Sequence, residues 1–167
     1  MKLIAGRWRS GAGETEMRIA LCSDELYPVH ARVEAELVKR GYELLKFGAL
    51  ASGSDAPWAL CAEQAAACVA QGDCEEGIFF CWSGTGISIA ANKVSGIRAA
   101  LCTDPGTARA ARRYNHANVL CLSNRLVSTD MASEILEAWF EGYDREMGQA
   151  GVADLLAVEA RHRGRAP

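Results

Sequence analysis

One run, Gly77-Ile-Phe-Phe-Cys81-Trp-Ser83-Gly84-Thr85-Gly86-Ile-Ser88-Ile-Ala-Ala-Asn92-Lys93, narrows the possible folds more than any other stretch of the chain. Gly77 to Phe80 is apolar and aromatic without alternation, which is how a strand buried on both faces reads. Ser83 to Gly86 carries no bulk, so the backbone can turn sharply and approach a ligand closely. Ile87 to Lys93 then begins a helix, whose first N–H groups have no partner within the helix. Strand, glycine loop and helix N-terminus together make an anion site. A cysteine opens the loop, so chemistry is expected there as well as binding. Three familiar loops of this shape do not fit. A dinucleotide fingerprint needs a third glycine where Gly84-Thr-Gly86-Ile-Ser-Ile89 has isoleucine. A P-loop needs Gly-Lys-Ser/Thr at its end, and the run holds no lysine before Lys93. A cysteine phosphatase loop wants an arginine six residues after the thiol, where this chain has Ile87.

With 167 residues, 50% of them hydrophobic and 23% charged, the chain suits a single globular domain with a full core. A net charge of -3 leaves no electrostatic footprint for nucleic acid. The apolar runs are too short to span a bilayer. Met1-Lys-Leu-Ile-Ala gives way to Arg7, Trp8 and Arg9 rather than to the apolar core of a signal peptide. The expected location is the cytoplasm, with neither membrane nor nucleic acid as partner. Cysteines at 22, 61, 68, 74, 81, 102 and 121 form no C-x-x-C pair, so neither a zinc site nor thioredoxin chemistry is expected, and no metal. Six of them read as small buried hydrophobes in a reducing compartment. Cys81 is set apart by the loop it opens.

Along the chain, residues 1–16 form a Gly-containing leader of mixed charge before the first clear strand, Met17 to Cys22. Ser23-Asp24-Glu25 follows it as a loop. A helix over 29–40 aligns Val29, Val33 and Leu37 and ends at Gly41. Further strands are expected at 42–47, 77–81, 96–102 and 118–122, with a long helix over 58–71. Asp104-Pro105 caps and starts the next helix, and Thr129-Asp130 caps the one carrying Ile135, Leu136, Trp139 and Phe140. The tail from Glu141 reads as helical and ends in Arg161, Arg163 and Arg165. Strands alternating with helices predict a three-layer α/β/α fold on a five-stranded parallel sheet. Ligands in such sheets lie at the carboxyl ends of the strands, which collects Asp24, Cys81, Asp104 and the Ser123-Asn124-Arg125 loop at one edge.

A second cluster is Arg109, Arg112 and Arg113 with Tyr114-Asn115-His116, followed by Arg125. Arginines three or four apart on a helix face one way and suit phosphate, or else they make a solvated basic face. His116 by itself reads as structural more often than as catalytic.

Taken together, Cys81…Ser88-Ile-Ala-Ala-Asn-Lys93, Gly96-Ile-Arg-Ala-Ala100, Arg112-Arg-Tyr-Asn115-His-Ala-Asn-Val-Leu120 and Asn124-Arg125-Leu-Val resemble the RpiB/LacA/LacB sugar-phosphate isomerases, with Asp55-Ala-Pro57 and Ala138-Trp139 in support. These are the type B ribose-5-phosphate isomerases and the galactose-6-phosphate isomerase subunits. The resemblance covers residues 17–140. It implies a flavodoxin-like (Rossmann-like) sheet and an aldose–ketose isomerase working through a cis-enediolate without metal or organic cofactor. It also implies a homodimer or tetramer with interfacial active sites, the 141–167 tail packing on the partner subunit. By the same resemblance Cys81 is the thiolate base. Ser83 moves the oxygen-bound proton, and the N–H groups of Gly84, Thr85, Gly86 and Ile87 steady the enediolate. Asn115 holds a sugar hydroxyl, Asp24, Glu25 and Trp82 line the substrate, and Arg112 and Arg125 hold phosphate.

The chain departs from the pattern beside the substrate. The family's Asp-His is Asp24-Glu25, its ring-opening histidine is Tyr114, the glycine after the cysteine is Trp82, and Trp58 follows Asp-x-Pro. A tetrose 4-phosphate cannot close a furanose ring, because its O4 carries the phosphate, so a short acyclic substrate needs no ring-opening group. The competing expectation gives ring opening of a pentose or hexose phosphate to His116 or Tyr114. A protein of another class, a catalytically silent sugar- or phosphate-binding protein, would keep the fold and the ligand alone.

Overall fold

The structure, a computed structural model, describes residues 17–163, so the expectations for the 1–16 leader and for Arg165 lie outside the described residues. Among the described residues, five strands form one parallel sheet: β1 (Arg18–Ser23), β2 (Glu43–Gly48), β3 (Glu76–Cys81), β4 (Ala99–Leu101) and β5 (Val119–Ser123). The helices of the described residues that connect or follow them are α1 (Pro28–Lys39), α2 (Ala49–Ser52), α3 (Trp58–Ala70), α4 (Thr85–Ala91), α5 (Pro105–Asn115), α6 (Thr129–Glu141) and α7 (Gln149–His162). This is the three-layer parallel α/β architecture expected, with strand order β2-β1-β3-β5-β4. The last two strands stand in the reverse of the 2-1-3-4-5 order of flavodoxin itself, which puts β5 in the interior and β4 at an edge.

The side-chain period of two explains the layering. Ile19 and Leu21 of β1, Ile78 and Phe80 of β3, and Leu120 and Leu122 of β5 point to one face and pack with α1, α5 and α6. Ala20, Cys22, Phe79, Cys81, Val119 and Cys121 point to the other and meet α3 and α4. The near-continuous apolar strands are thus read correctly as buried on both sides. Of the six cysteines expected to be buried hydrophobes, Cys68 alone is only partly so, its thiol 3.2 Å from that of Cys74.

The expected 96–102 strand shrinks to Ala99–Leu101. Gly96 takes a left-handed conformation, and the amides of Arg98 and Ala99 donate to the side chains of Asn118 and Asn92. The cap of α6 is Ser128, one residue before the pair expected, with its hydroxyl accepting from the Met131 amide. Asp104 caps α5 as expected, accepting from the Thr107 amide, with Pro105 in the first turn. The tail is interrupted between α6 and α7, and the short α2 has no counterpart in the sequence reading.

Candidate active site

The ends of β1, β3 and β5 lie side by side at the carboxyl edge of the sheet. Cys81, the last residue of β3, is 5% exposed and lies on the α3/α4 face. Its carbonyl accepts from the amides of Gly84 (3.2 Å) and Asn124 (2.9 Å), which closes the loop tightly and ties it to the end of β5. The Trp82 carbonyl accepts from the Arg125 amide at 3.2 Å and the Ser123 hydroxyl at 2.9 Å. The loop is therefore fixed by backbone and hydroxyl donors before any ligand arrives. Gly84 carries φ 77° and is the N-cap of α4. A Cβ there would stand 2.5 Å from a Leu101 methyl and 3.1 Å from the Leu122 backbone. Gly84→Ala is expected to cost about 2 kcal/mol or more, combining the left-handed penalty with steric displacement. Thermal melts and turnover should both fall, and an active variant of wild-type stability would contradict the reading.

α4 begins at Thr85, two residues earlier than the sequence suggested. The amides of Thr85, Gly86 and Ile87 belong to its first turn and find no backbone acceptor within the helix. Ser83 Oγ and Thr85 Oγ1 lie 2.6 Å apart in the same loop. Trp58, at the start of α3, stands against Gly86, where an added Cβ would lie 3.2 Å from the indole. Trp82 projects outward, with the Arg125 guanidinium 4.8 Å over its ring. Two tryptophans thus flank the cysteine loop, and Arg125 is held beside it by a cation–π contact.

At the end of β1, Asp24 is 9% exposed, and its buried Oδ1 has no hydrogen-bond partner among the described residues. Desolvation pushes its carboxyl above the ordinary value, and the Glu25 charge adds to this against opposing backbone hydrogen bonds. The folded chain therefore holds this proton more tightly than the unfolded chain. Ionised Asp24 costs stability at pH above its folded value, and the cost fades as pH falls to the ordinary carboxylate range. Asp24→Asn is expected to raise stability at neutral pH and to bring no gain near pH 3.5, about where an ordinary carboxylate protonates. Denaturant melts at the two pH values check this, and an equal gain at both would contradict it. Glu25, half-buried, accepts from the Tyr27 hydroxyl at 3.0 Å. Sequence reasoning missed His30. It lies in the first turn of α1, fully buried, with Nε2 2.8 Å from Asn124 Oδ1. A histidine among Val29, Val33 and Leu37 on a buried helix face was the available signal.

The second cluster lies elsewhere. α5 runs back from the carboxyl edge, and Asn115 and His116 end it at the amino edge. Arg112 is 7% exposed, pairs with Glu76 at 2.5 Å and donates to the Ala117 carbonyl at 2.6 Å. Its guanidinium also lies 4.9 Å over Trp139 and 4.8 Å over Tyr143. The solvated basic face does not describe it. Glu76 opens β3 and Cys81 closes it, so Arg112 is separated from the thiol by five residue steps, roughly 16 Å. Tyr114 and Asn115 are exposed at that far edge. His116 caps α5 in a left-handed conformation (φ 46°), with its Nε2 2.5 Å from the Met147 carbonyl. One chain therefore brings together Asp24, Glu25, Cys81, Trp82, Ser83, the Gly84–Ile87 loop and Arg125, but not Arg112, Tyr114, Asn115 or His116. Among the described residues, no group of three or more His, Cys, Asp or Glu side chains is placed to hold a metal ion.

A doubly covered parallel sheet with a cysteine and a glycine loop at its carboxyl edge defines a Rossmann-like α/β protein. Residues 19–154 match the ribose/galactose isomerase family model, and the chain belongs to that family. It is 40% identical over 131 residues to ribose-5-phosphate isomerase B of Escherichia coli, covering 77% of this chain and 87% of that protein. It is 42% identical over 73 residues, 44% of this chain and 48% of the other, to D-erythrulose-4-phosphate isomerase of Pectobacterium atrosepticum. Among solved structures, ribose-5-phosphate isomerase B of Clostridium thermocellum superposes with a TM-score of 0.81 at 36% identity, covering 87% of this chain and 99% of that one.

Proposed function

We propose that the protein interconverts an aldose and a ketose phosphate through a cis-enediolate, with Cys81 as the base. The observation that carries this reading is Cys81 at the end of β3, facing a first helical turn whose amides lack helical partners. The thiolate takes the proton from the carbon beside the carbonyl and returns it to the neighbouring carbon, which leaves the redox balance within the substrate. The amides of Thr85, Gly86 and Ile87 stabilise the oxygen on which charge develops, and each such donor contributes roughly 10²-fold or more to rate. Ser83, hydrogen-bonded to Thr85, shuttles the proton between the two substrate oxygens.

Two chains make one site in this reading. The exposed Tyr114 and Asn115 corner of a second copy completes the site beside the Cys81 loop. α7 supports association: it buries no residue, and Leu155, Leu156 and Val158 line an open groove of about 440 Å³ beside the β4 edge. Phosphate falls to Arg125, because the Arg112 guanidinium is taken by Glu76 and the Ala117 carbonyl. Tyr114 in place of a ring-opening acid, with Trp58 and Trp82 beside the loop, favours a four-carbon acyclic substrate. The likeness to a D-erythrulose-4-phosphate isomerase points the same way.

Solvent-deuterium incorporation, followed by NMR with C4, C5 and C6 aldose and ketose phosphates, tests the function. Label entering the C4 pair supports the tetrose reading. Label entering pentose or hexose phosphates alone keeps the isomerase and removes the acyclic substrate. Exchange with none of them removes the isomerase.

A further inference from the structure

Asn124 is the point at which the three central strand ends meet. Its amide donates to the Cys81 carbonyl at 2.9 Å, and its Nδ2 donates to Ser23 Oγ at 3.3 Å. Ser23 passes the contact on, its hydroxyl donating to the Glu25 carbonyl at 2.6 Å across the turn that carries Asp24. The orientation of the Asn124 side chain is set from below by His30. Nδ1 of His30 accepts from the Tyr27 amide at 3.2 Å, so the proton sits on Nε2 and is donated to Asn124 Oδ1. With Oδ1 facing a donor, Nδ2 must face Ser23. The ring is 3% exposed and meets Phe80 edge-on at 4.7 Å between centroids. Burial lowers its pKa, which keeps the accepting nitrogen free of a proton, although the Asn124 bond and the Glu34 charge oppose this. Packing alone asks for no imidazole here, since Val29, Val33 and Leu37 already anchor α1. A leucine would fill the same volume without polar atoms to satisfy.

We propose that His30 and Asn124 are positioning residues of the site. Through Asn124, the His30 imidazole holds the Asp24 turn and the Cys81 loop in fixed relation. The catalytic consequence rests on the isomerase reading, whereas the positioning itself rests on the hydrogen bonds alone. Reacting groups displaced by about 1 Å lose as much as 10²-fold in rate, so kcat rather than KM registers the change.

Two variants and two readouts test it. His30→Leu keeps the volume and removes both hydrogen bonds, while a glutamine can accept from Tyr27 and donate to Asn124. In His30→Leu, kcat is expected to fall about tenfold or more with KM within about twofold, and His30→Gln should recover most of the loss. Hydrogen exchange at the Asn124 amide, read by NMR, should accelerate in the leucine variant and return toward wild type with glutamine. This second readout needs no turnover, so it decides the positioning even where wild type isomerises none of the sugar phosphates and the proposed function fails. A folded His30→Leu protein with wild-type Asn124 protection overturns the proposal. So does a loss of kcat that glutamine does not restore.

Discussion

Cys81→Ala should lower kcat by about 10³-fold, within the 10²- to 10⁴-fold span that a positioned base contributes. KM should move little, because the thiol acts on the proton in the transition state rather than on the bound sugar. The fold should survive. Cys81 sits at the strand end, and the bonds that close its loop run through its carbonyl and the Gly84 and Asn124 amides, which alanine keeps. Losing one buried sulfur costs about 1 kcal/mol. Steady-state kinetics beside a thermal melt separates these effects. An alanine variant that still exchanges substrate protons with solvent at the wild-type rate would remove Cys81 from the mechanism.

Replacing Arg112 with methionine should cost stability rather than substrate affinity. The change takes the Arg112 cation away from Glu76, which also accepts from the indole N–H of the fully buried Trp139 at 2.7 Å. It also strips the cation from above two aromatic rings. Removing one member of a buried pair costs about 3 kcal/mol or more, which in a chain of this size lowers Tm by roughly 10 °C. If Arg112 instead binds phosphate, KM rises steeply while Tm holds. That outcome would return the residue to the role the resemblance implied.

The sheet was legible because strands buried on both faces read as apolar runs, and because Gly41, Asp104-Pro105 and the Gly84 loop punctuate them chemically. Grouping Asp24, Cys81 and Arg125 needed only the rule that parallel strands end at one edge. What stayed hidden depends on contacts distant in sequence. β5 lies inside β4, and the start of the expected fourth strand is bonded by Asn92 and Asn118 side chains, which no local propensity reveals. The spacing of Arg109, Arg112 and Arg113 suggested one basic face, yet Glu76, 36 residues away, draws Arg112 into the core. His30 went unremarked because its partner Asn124 lies 94 residues further on. The α5 crossover carries Tyr114 and Asn115 to the edge opposite Cys81, so that these two residues stand apart from the cysteine loop within one chain.

Mixing two inactive variants measures that division directly. In the proposed shared site, Cys81→Ala lacks the base and Asn115→Ala lacks the residue that the second copy would offer. After subunit exchange, half of randomly paired dimers are mixed, and each mixed dimer restores one of its two sites. Activity should therefore recover to roughly a quarter of wild type under twofold symmetry, with each variant alone nearly silent. Mixed dimers that form, as native mass spectrometry can verify, yet remain silent would contradict a site shared between two chains.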